Sequence, residues 1–156
     1  LRVRHGGDDH SLMIPTMSGL ARPEILATTE WLADNLDRFG IRVLDLRWRP
    51  DGSAPAVHAG GHIPGAVLVD WRQDLIEEGE TGETIMLAGP DRMATLAVKA
   101  GITDDTTVVV YDDTQSLFAA RAWWSLRAYG LASDRILDGG YDAWVAVGRP
   151  VAISHP

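Results

Sequence analysis

Segments in which apolar residues are consecutive alternate along the chain with segments in which they recur periodically. Continuous apolar runs rich in β-branched residues predict buried strands at residues 24–27, 41–46, 67–70, 107–111 and 135–137. Segments in which apolar residues recur every three or four positions predict helices at residues 29–39, 90–100, 117–129 and 141–147. Strands that alternate with helices indicate an α/β domain with a mostly parallel central sheet flanked by helices.

Local signals mark the ends of these elements and leave two stretches without a regular pattern. Thr28 is predicted to cap the first helix with its hydroxyl group, Pro90 to lie in a first turn, and Gly101 to end a helix. Residues 49–61 are rich in Gly, Pro and Ala and are predicted to be irregular. Residues 72–89 are acidic and rich in Gly and Thr, which predicts a solvated excursion.

The strand at residues 107–111 ends abruptly at a polar loop, before the next helix begins. In a parallel sheet the carboxyl ends of the strands face the ligand crevice, and loop amides together with a helix N-terminus favour an anion there. We therefore interpret this loop as the candidate binding site. The residues assigned to it are Asp112, Asp113, Thr114, Gln115, Ser116, Leu117 and, in the following helix, Arg121.

Composition narrows the functions that such a site could serve. The chain has 156 residues, most simply one domain, and its formal net charge of −8 argues against nucleic acid or an anionic membrane as a partner. It contains no cysteine, so it can form no disulfide, no thiolate metal site and no persulfide. We expect no cofactor and no metal, and we take the cytoplasm as the default compartment.

The two ends of the chain differ from its middle. Residues 1–21 lack the apolar core of a signal peptide, and we interpret them as a disordered tail or an expression remnant. The domain is expected to span residues 22–150. Residues 151–156 are interpreted as the start of a linker or as a C-terminal tail.

Five short motifs follow one another between residues 25 and 150. They are Leu44-Asp45-Leu46-Arg47, Gly61-His62-Ile63-Pro64-Gly65-Ala66, Val108 to Asp112, Ala120-Arg121-Ala122-Trp123-Trp124, and Leu137-Asp138-Gly139-Gly140 with Trp144. Together they resemble a rhodanese domain of the thiosulfate and 3-mercaptopyruvate sulfurtransferases. The cysteine-free loop, Asp70-Trp71 and Trp123-Trp124 are similar to the N-terminal half of tandem enzymes in that family. The resemblance implies the rhodanese-like three-layer fold.

The resemblance also implies a role for the loop position that Asp112 occupies. The family places a cysteine there, whose thiolate is stabilised by loop amides, takes up sulfane sulfur and holds it as a persulfide. Since a carboxylate cannot do this, we expect no catalytic residue in this chain. One residue more than in the family's loop precedes Ala119-Ala120, and we expect it to displace the amides from a common point. A simpler interpretation of Asp112 is a carboxylate that caps the following helix.

A second resemblance gives Asp112 a different role. A strand followed by Asp112-Asp113-Thr114 resembles the aspartyl nucleophile of haloacid-dehalogenase-like phosphatases, which place their second Asp two residues after the first. Here the two Asp residues are adjacent, so their side chains are expected to diverge, and a shared Mg²⁺ fits poorly.

Four polar residues near other strand ends are assigned to the structural motif: Asp45, Arg47, His62 and Asp70. His62 is either a metal ligand or base, or a structural histidine whose ring ties its turn to a neighbour such as Asp45. His58 is expected in a flexible loop. We expect Asp45 and Arg47 to point to opposite sides of the sheet, with one of them pairing with Asp70 or His62.

The helix after the loop carries residues with two possible roles. Arg121 either reaches an anion in the crevice or packs under Trp124. Trp123 and Trp124 indicate core packing and a domain contact, and in a tandem protein one of them would pack toward the other half.

Two functional hypotheses follow from these observations. In the first, the chain is the supporting half of a tandem sulfurtransferase, beside a second, cysteine-bearing rhodanese domain or another protein partner that transfers sulfane sulfur. In the second, it is a free-standing non-catalytic rhodanese module that binds a protein or a small anion. A chain that stops just after the domain favours the second hypothesis, and the motif details favour the first.

Overall fold

The computed structural model describes residues 23–78 and 85–154. The predictions for residues 1–21, and part of those for residues 72–89 and 151–156, lie outside this range. Beyond a short 3₁₀ helix at Pro23–Ile25 the described elements are α-helices and β-strands. The helices are α1 (Thr29–Asn35), α2 (Ala54–Gly60), α3 (Trp71–Asp74), α4 (Pro90–Ala100), α5 (Leu117–Ala128) and α6 (Gly140–Ala146). The strands are β1 (Leu26–Ala27), β2 (Ile41–Asp45), β3 (Val67–Leu68), β4 (Ile76–Glu77), β5 (Met86–Leu87), β6 (Thr107–Tyr111) and β7 (Arg135–Leu137).

A parallel sheet forms the centre of the fold, as the alternation of strands and helices predicts. Among the described residues its five strands lie in the order β1-β7-β6-β2-β3, and every pair is parallel. In the central pair, Ile41 lies opposite Thr107 and Asp45 lies opposite Tyr111. The loops that follow β2 and β6 therefore leave the sheet side by side at its carboxyl edge.

Alternation along β6 divides the hydrophobic core between the two faces of the sheet. Val108 and Val110 belong to one buried cluster, and Val109 and Tyr111 belong to the other. This is the period of two that a strand imposes on its side chains. The first cluster includes residues of α3, α4 and α5, and the second includes Leu32 of α1 and Trp144 of α6. Helices thus cover both faces, which gives the predicted three layers.

The signals for helix ends are confirmed where they are local. The hydroxyl group of Thr28 accepts a hydrogen bond from the Trp31 N–H at 3.0 Å. Pro90 is the first residue of α4, and Gly101 follows that helix in a left-handed conformation, with φ of 67°. Such a conformation suits glycine, because it has no Cβ.

Two stretches predicted to be irregular contain regular structure. Residues 49–61 contain α2. Its Pro55 lies in the first turn, where the backbone N–H that proline lacks has no partner within the helix, so the proline does not prevent the helix. Residues 72–89 contain part of α3 and the antiparallel pair β4–β5. Asp70 starts α3, since its carboxylate accepts from the Arg72 N–H at 2.9 Å and the Gln73 N–H at 3.4 Å.

The segment after α6 packs back onto the domain. Ala152 forms an isolated antiparallel bridge with His62, and the Ser154 N–H donates to the Ala59 carbonyl at 3.0 Å. The described part of the predicted linker thus lies along the end of α2. Of the helices in the described ranges, none has the length and apolar character required to cross a membrane.

Candidate functional site

Asp112 follows β6 directly, at the carboxyl edge of the sheet, and only 1% of its surface is exposed. Four backbone N–H groups donate to its carboxylate. Those of Thr114 and Ser116 reach Oδ1 at 2.9 Å each, and those of Phe118 and Ala119 reach Oδ2 at 2.8 and 2.9 Å. We call these four N–H groups and the carboxylate they surround the Asp112 nest.

The loop with its extra residue directs the four N–H groups in two pairs, one pair to each carboxylate oxygen, and not to a single point. Gln115 and Ser116 both adopt left-handed backbone conformations, with φ of 56° and 65°. These two consecutive residues turn the chain within the loop, so that N–H groups on both sides of them still point inwards. Because residues other than Gly, Asn and Asp rarely adopt this conformation, the loop stores local strain that the hydrogen bonds to Asp112 must outweigh.

The Asp112 carboxylate also caps α5 from outside the helix. Phe118 and Ala119 lie in the first turn of α5, where backbone N–H groups have no partner within the helix. Their hydrogen bonds to Oδ2 satisfy two such groups, and a negative charge at this end is favoured by the helix dipole. Capping of α5 therefore accounts for two of the four hydrogen bonds to the Asp112 carboxylate. The loop N–H groups of Thr114 and Ser116 donate the other two.

The Asp138-Gly139-Gly140 turn supports the loop from the side of α6. The Tyr141 N–H donates to the Asp112 carbonyl at 2.9 Å. A Cβ added to Gly140 would lie 2.3 Å from that same carbonyl oxygen, and Gly140 has a φ of +61°. Glycine is thus required there both for its conformation and for the close approach of two backbones.

Asp113 is paired with Arg49, a residue that the sequence analysis did not assign to the site. The Nη1 of Arg49 donates to Oδ1 at 3.1 Å and its Nη2 to Oδ2 at 2.5 Å. The hydrogen bond to Asp113 raises the pKa of Arg49. Arg49 lies in the loop after β2, and β2 is the neighbour of β6 in the sheet. Knowledge of that strand order would have placed Arg49 at the site.

The remaining loop residues surround the mouth of the site. A cavity of about 430 Å³ lies beside the loop, lined by Asp112, Asp113, Gln115, Ser116, Gly139, Gly140 and Asp142. Three of these lining residues are carboxylates. A dianion such as thiosulfate would therefore meet negative charge at the mouth. Leu117, the first residue of α5, is 65% exposed beside it.

Arg121 takes the second of its two expected roles. Its guanidinium lies 5.1 Å from the ring centroid of Trp124, and its Nη2 donates to the Ile85 carbonyl at 3.0 Å. It packs along the outer side of α5 and is not among the groups that line the cavity. Trp124 remains 48% exposed, whereas Trp123 packs against the core.

The structural motif residues Asp45 and Arg47 pair with each other, which corrects the prediction that they point to opposite sides. Residues two positions apart along a strand direction share a face. The Nη2 of Arg47 donates to Asp45 Oδ2 at 2.6 Å and to the Gly61 carbonyl at 2.7 Å. The guanidinium also lies 3.9 Å from the ring centroid of Tyr141. Asp70 takes no part in this pair and caps α3 instead.

Asp45 binds His58, and not His62 as expected. His58 Nδ1 lies 2.8 Å from Asp45 Oδ2, and His62 Nδ1 lies 2.8 Å from the His58 carbonyl oxygen. The two rings are stacked with centroids 4.0 Å apart. His62 therefore ties its turn to α2, and the carboxylate is reached by the helical residue His58. This pairing was not predicted, because the Gly, Pro and Ala content around His58 indicates a flexible loop.

The environment of Asp45 strongly favours its ionised form. Burial alone would raise the pKa of this carboxyl group, but the hydrogen bonds from His58 and Arg47 outweigh burial and lower it to about 2. Burial opposes the charge of Arg47 as well, and the Asp45 carboxylate raises its pKa in spite of this. In this cluster the positive charge of Arg47 balances the negative charge of Asp45, at the carboxyl edge of the sheet.

Aromatic side chains form a half-buried group at the same edge. The ring of Trp48 lies 5.9 Å from Trp71 and 5.6 Å from Phe118, and Trp71 stacks on Phe118 at 5.4 Å between centroids. The guanidinium of Arg72 lies within 6 Å of both Trp rings, at 5.9 and 5.8 Å. We call Trp48, Trp71, Arg72, Leu117 and Phe118 the aromatic edge.

The geometry disfavours the phosphatase interpretation. Each oxygen of Asp112 already accepts two N–H groups, and Asp113 is paired with Arg49, so neither carboxylate is available to bind Mg²⁺. Within residues 23–78 and 85–154, no group of three or more His, Asp or Glu side chains is arranged to hold a metal ion.

Comparisons with known proteins agree with this architecture. The model of the rhodanese-like domain matches residues 28–147. SseB of Mycobacterium tuberculosis, a proposed thiosulfate sulfurtransferase, is 40% identical over 137 residues, which are 84% of this chain and 47% of that protein. The sulfur carrier protein TtuD of Thermus thermophilus is 33% identical over 138 residues, which are 88% of this chain and 45% of that protein.

A solved structure shares the fold. SseA from Escherichia coli, a 3-mercaptopyruvate sulfurtransferase, superimposes with a TM-score of 0.74 and 28% sequence identity. The match covers 85% of this chain and 52% of that one. The chain thus spans about half the length of the relatives that it matches.

Proposed function

Because this chain belongs to the rhodanese-like domain family, we propose that it is a non-catalytic member that supports sulfane-sulfur transfer by a cysteine-bearing partner domain. The observation that carries the proposal is the buried carboxylate of Asp112 at the end of β6, where the family's loop places its nucleophile. The sequence contains no cysteine that could replace it.

A cysteine thiolate and the Asp112 carboxylate differ in their ability to take up and hold sulfane sulfur. A thiolate attacks sulfane sulfur and forms a disulfide-like S–S bond, which an acceptor can then cleave. A carboxylate oxygen cannot hold and pass on sulfur in this way. In addition, the four amides that would stabilise an anion are all bound to Asp112.

Two observations support a second rhodanese domain as the partner. The relatives are about twice as long as the matched region, so each contains a further segment of similar length. The aromatic edge lies beside the nest and combines Trp, Phe and Arg side chains, the residue types enriched in protein interfaces. We propose that the partner docks at this edge, with Leu117 in the contact.

The alternative is a free-standing module that binds a protein or a small anion. The exposed Leu117 and Trp124 are consistent with a protein ligand. The filled nest and the carboxylates around the cavity disfavour a small anion. As for the compartment, we propose the cytoplasm, which fractionation of the source cells would test.

Addition of this chain to a separately purified, cysteine-bearing rhodanese domain tests the proposal. The activity of that domain alone is measured first, as thiocyanate formed from thiosulfate and cyanide. We expect the chain to raise kcat/KM of the domain saturably, because it completes one side of the cleft.

The Leu117→Glu variant should lose most of this effect, since it places a charge in the proposed contact. The Val98→Glu variant is the matched control, because Val98 is a solvent-exposed residue of α4. An unchanged kcat/KM at saturating chain concentration would refute the supporting role. An equal loss in both variants would refute the docking site.

A further inference from the structure

The Asp112 nest has the construction of an anion-binding site that already contains its ligand. Its four donors are all backbone N–H groups, at 2.8 to 2.9 Å from the two carboxylate oxygens. Two N–H groups serve each oxygen, so the nest is shaped for a planar group with two oxygens. The carboxylate is buried and fills this space.

We propose that the Asp112 nest is a carboxylate-binding site that the chain itself occupies, and that it accepts a free small carboxylate once the Asp112 side chain is removed. The ligand class follows from the group seated there, which is a monovalent, planar carboxylate. In the native chain the attached carboxylate competes at a far higher effective concentration than any free anion. Self-occupation therefore closes the loop to external anions.

The size of the missing group sets the preferred ligand for each variant. Asp112→Gly removes the carboxylate together with Cβ, and these atoms together correspond to acetate. Asp112→Ala keeps Cβ and leaves space only for the carboxylate, which corresponds to formate. The nest should therefore favour formate over acetate in Asp112→Ala and should admit both in Asp112→Gly.

An external ligand has a route to the nest. Asp112, Ser116 and Gly140 line the cavity of about 430 Å³ beside the loop. Asp142 lines the same cavity, so a thiosulfate dianion should bind less well than a monovalent carboxylate. This order of affinity separates a carboxylate site from a general anion site.

The test measures thermal midpoints of both variants and of the native chain as sodium formate, sodium acetate or sodium thiosulfate replaces sodium chloride at constant ionic strength. A ligand that binds only the folded state raises the midpoint with its concentration. At about ten times its dissociation constant the ligand should raise the midpoint by about 4 °C. We expect this rise in Asp112→Gly with either ligand, in Asp112→Ala with formate, and in neither case with thiosulfate. The native midpoint should not move.

Two further variants serve as controls. Asp112→Asn keeps a side chain of the same shape in the nest, so formate should not raise its midpoint. Asp70→Gly removes a carboxylate that accepts only two N–H groups at the start of α3, and it should not respond either. Amide chemical shifts of Thr114, Ser116, Phe118 and Ala119 give an independent readout, because ligand in the nest should move all four together.

Three results would overturn the proposal. The first is a midpoint that does not change in either nest variant when formate or acetate replaces chloride. The second is an equal rise in the native chain or in a control. The third is failure of both nest variants to fold even at high formate or acetate. This proposal and the proposed function share Asp112, but their tests fail separately: sulfur turnover by the native chain would refute that function and leave the nest result unchanged.

Discussion

At the residue scale, Asp112 holds together the loop on which the site is built. Its carboxylate joins the end of β6 to residues up to seven positions later, in the first turn of α5. Hydrogen bonds to charged groups contribute more than those between neutral groups, and a buried donor left without a partner costs about 1–3 kcal/mol. These bonds offset the strain of the two left-handed residues, Gln115 and Ser116.

We predict that Asp112→Ala lowers the free energy of unfolding by at least about 2 kcal/mol, more than the loss of a single helix cap, which is typically about 1 kcal/mol. Denaturant unfolding measures it. Asp70→Ala is the matched control, because Asp70 also caps a helix but is bound by only two N–H groups. An Asp112→Ala effect no larger than that of Asp70→Ala would show that the loop amides contribute nothing.

Gly140 gives a second prediction at this scale. Gly140→Ala would place a Cβ 2.3 Å from the Asp112 carbonyl oxygen, whereas Gly52→Ala meets no atom within 4 Å. Both glycines have positive φ, so both variants carry the conformational strain of about 1–2 kcal/mol. Only Gly140→Ala adds a clash, and it should lower stability by at least about 2 kcal/mol more. Equal losses in the two variants would contradict the close approach of α6 to the loop.

At the scale of elements, the sequence predicted the parts of the fold that depend on local pattern. Strands β2 and β6 and helix α4 were predicted because continuous apolar runs, Pro90 and Gly101 act through near neighbours. Helix α2 was missed because its Gly, Pro and Ala content is also that of a loop, and the segment is fixed by a distant contact. His58 of α2 lies against Asp45, which is 13 positions earlier.

The contacts of the candidate site were less accessible from the sequence. Arg49 and Asp113 are 64 positions apart and meet only because β2 and β6 are neighbours in the sheet. The convergence of the four amides depends on the left-handed conformations of Gln115 and Ser116, residues that rarely adopt them. Sequence patterns could thus locate the loop but not show that its carboxylate fills the nest.

At the scale of the whole molecule, the Asp45 cluster makes stability depend on pH. The pKa of Asp45 is about 2 in the folded chain, because bonds from His58 and Arg47 outweigh burial, and about 3.9 in an unfolded one. Its contribution of about 2 to 3 kcal/mol is therefore present above pH 4 and is lost as pH falls from about 4 to about 2.

We predict that Asp45→Asn reduces the slope of unfolding free energy against pH between about 2 and 4. Urea unfolding at a series of pH values measures that slope. Asp34→Asn is the control, because Asp34 is a solvent-exposed residue of α1, and it should keep the native slope. A native slope in Asp45→Asn would mean that another carboxyl group carries the acid sensitivity.

A domain without a cysteine should not carry sulfane sulfur. The most direct measurement is thiocyanate formation from thiosulfate and cyanide by the purified chain alone, beside a heat-denatured sample of the same protein. Because the sequence contains no cysteine that could hold sulfur as a persulfide, we predict no turnover above the denatured control. Thiocyanate formed above that control, in proportion to the amount of chain, would contradict the account.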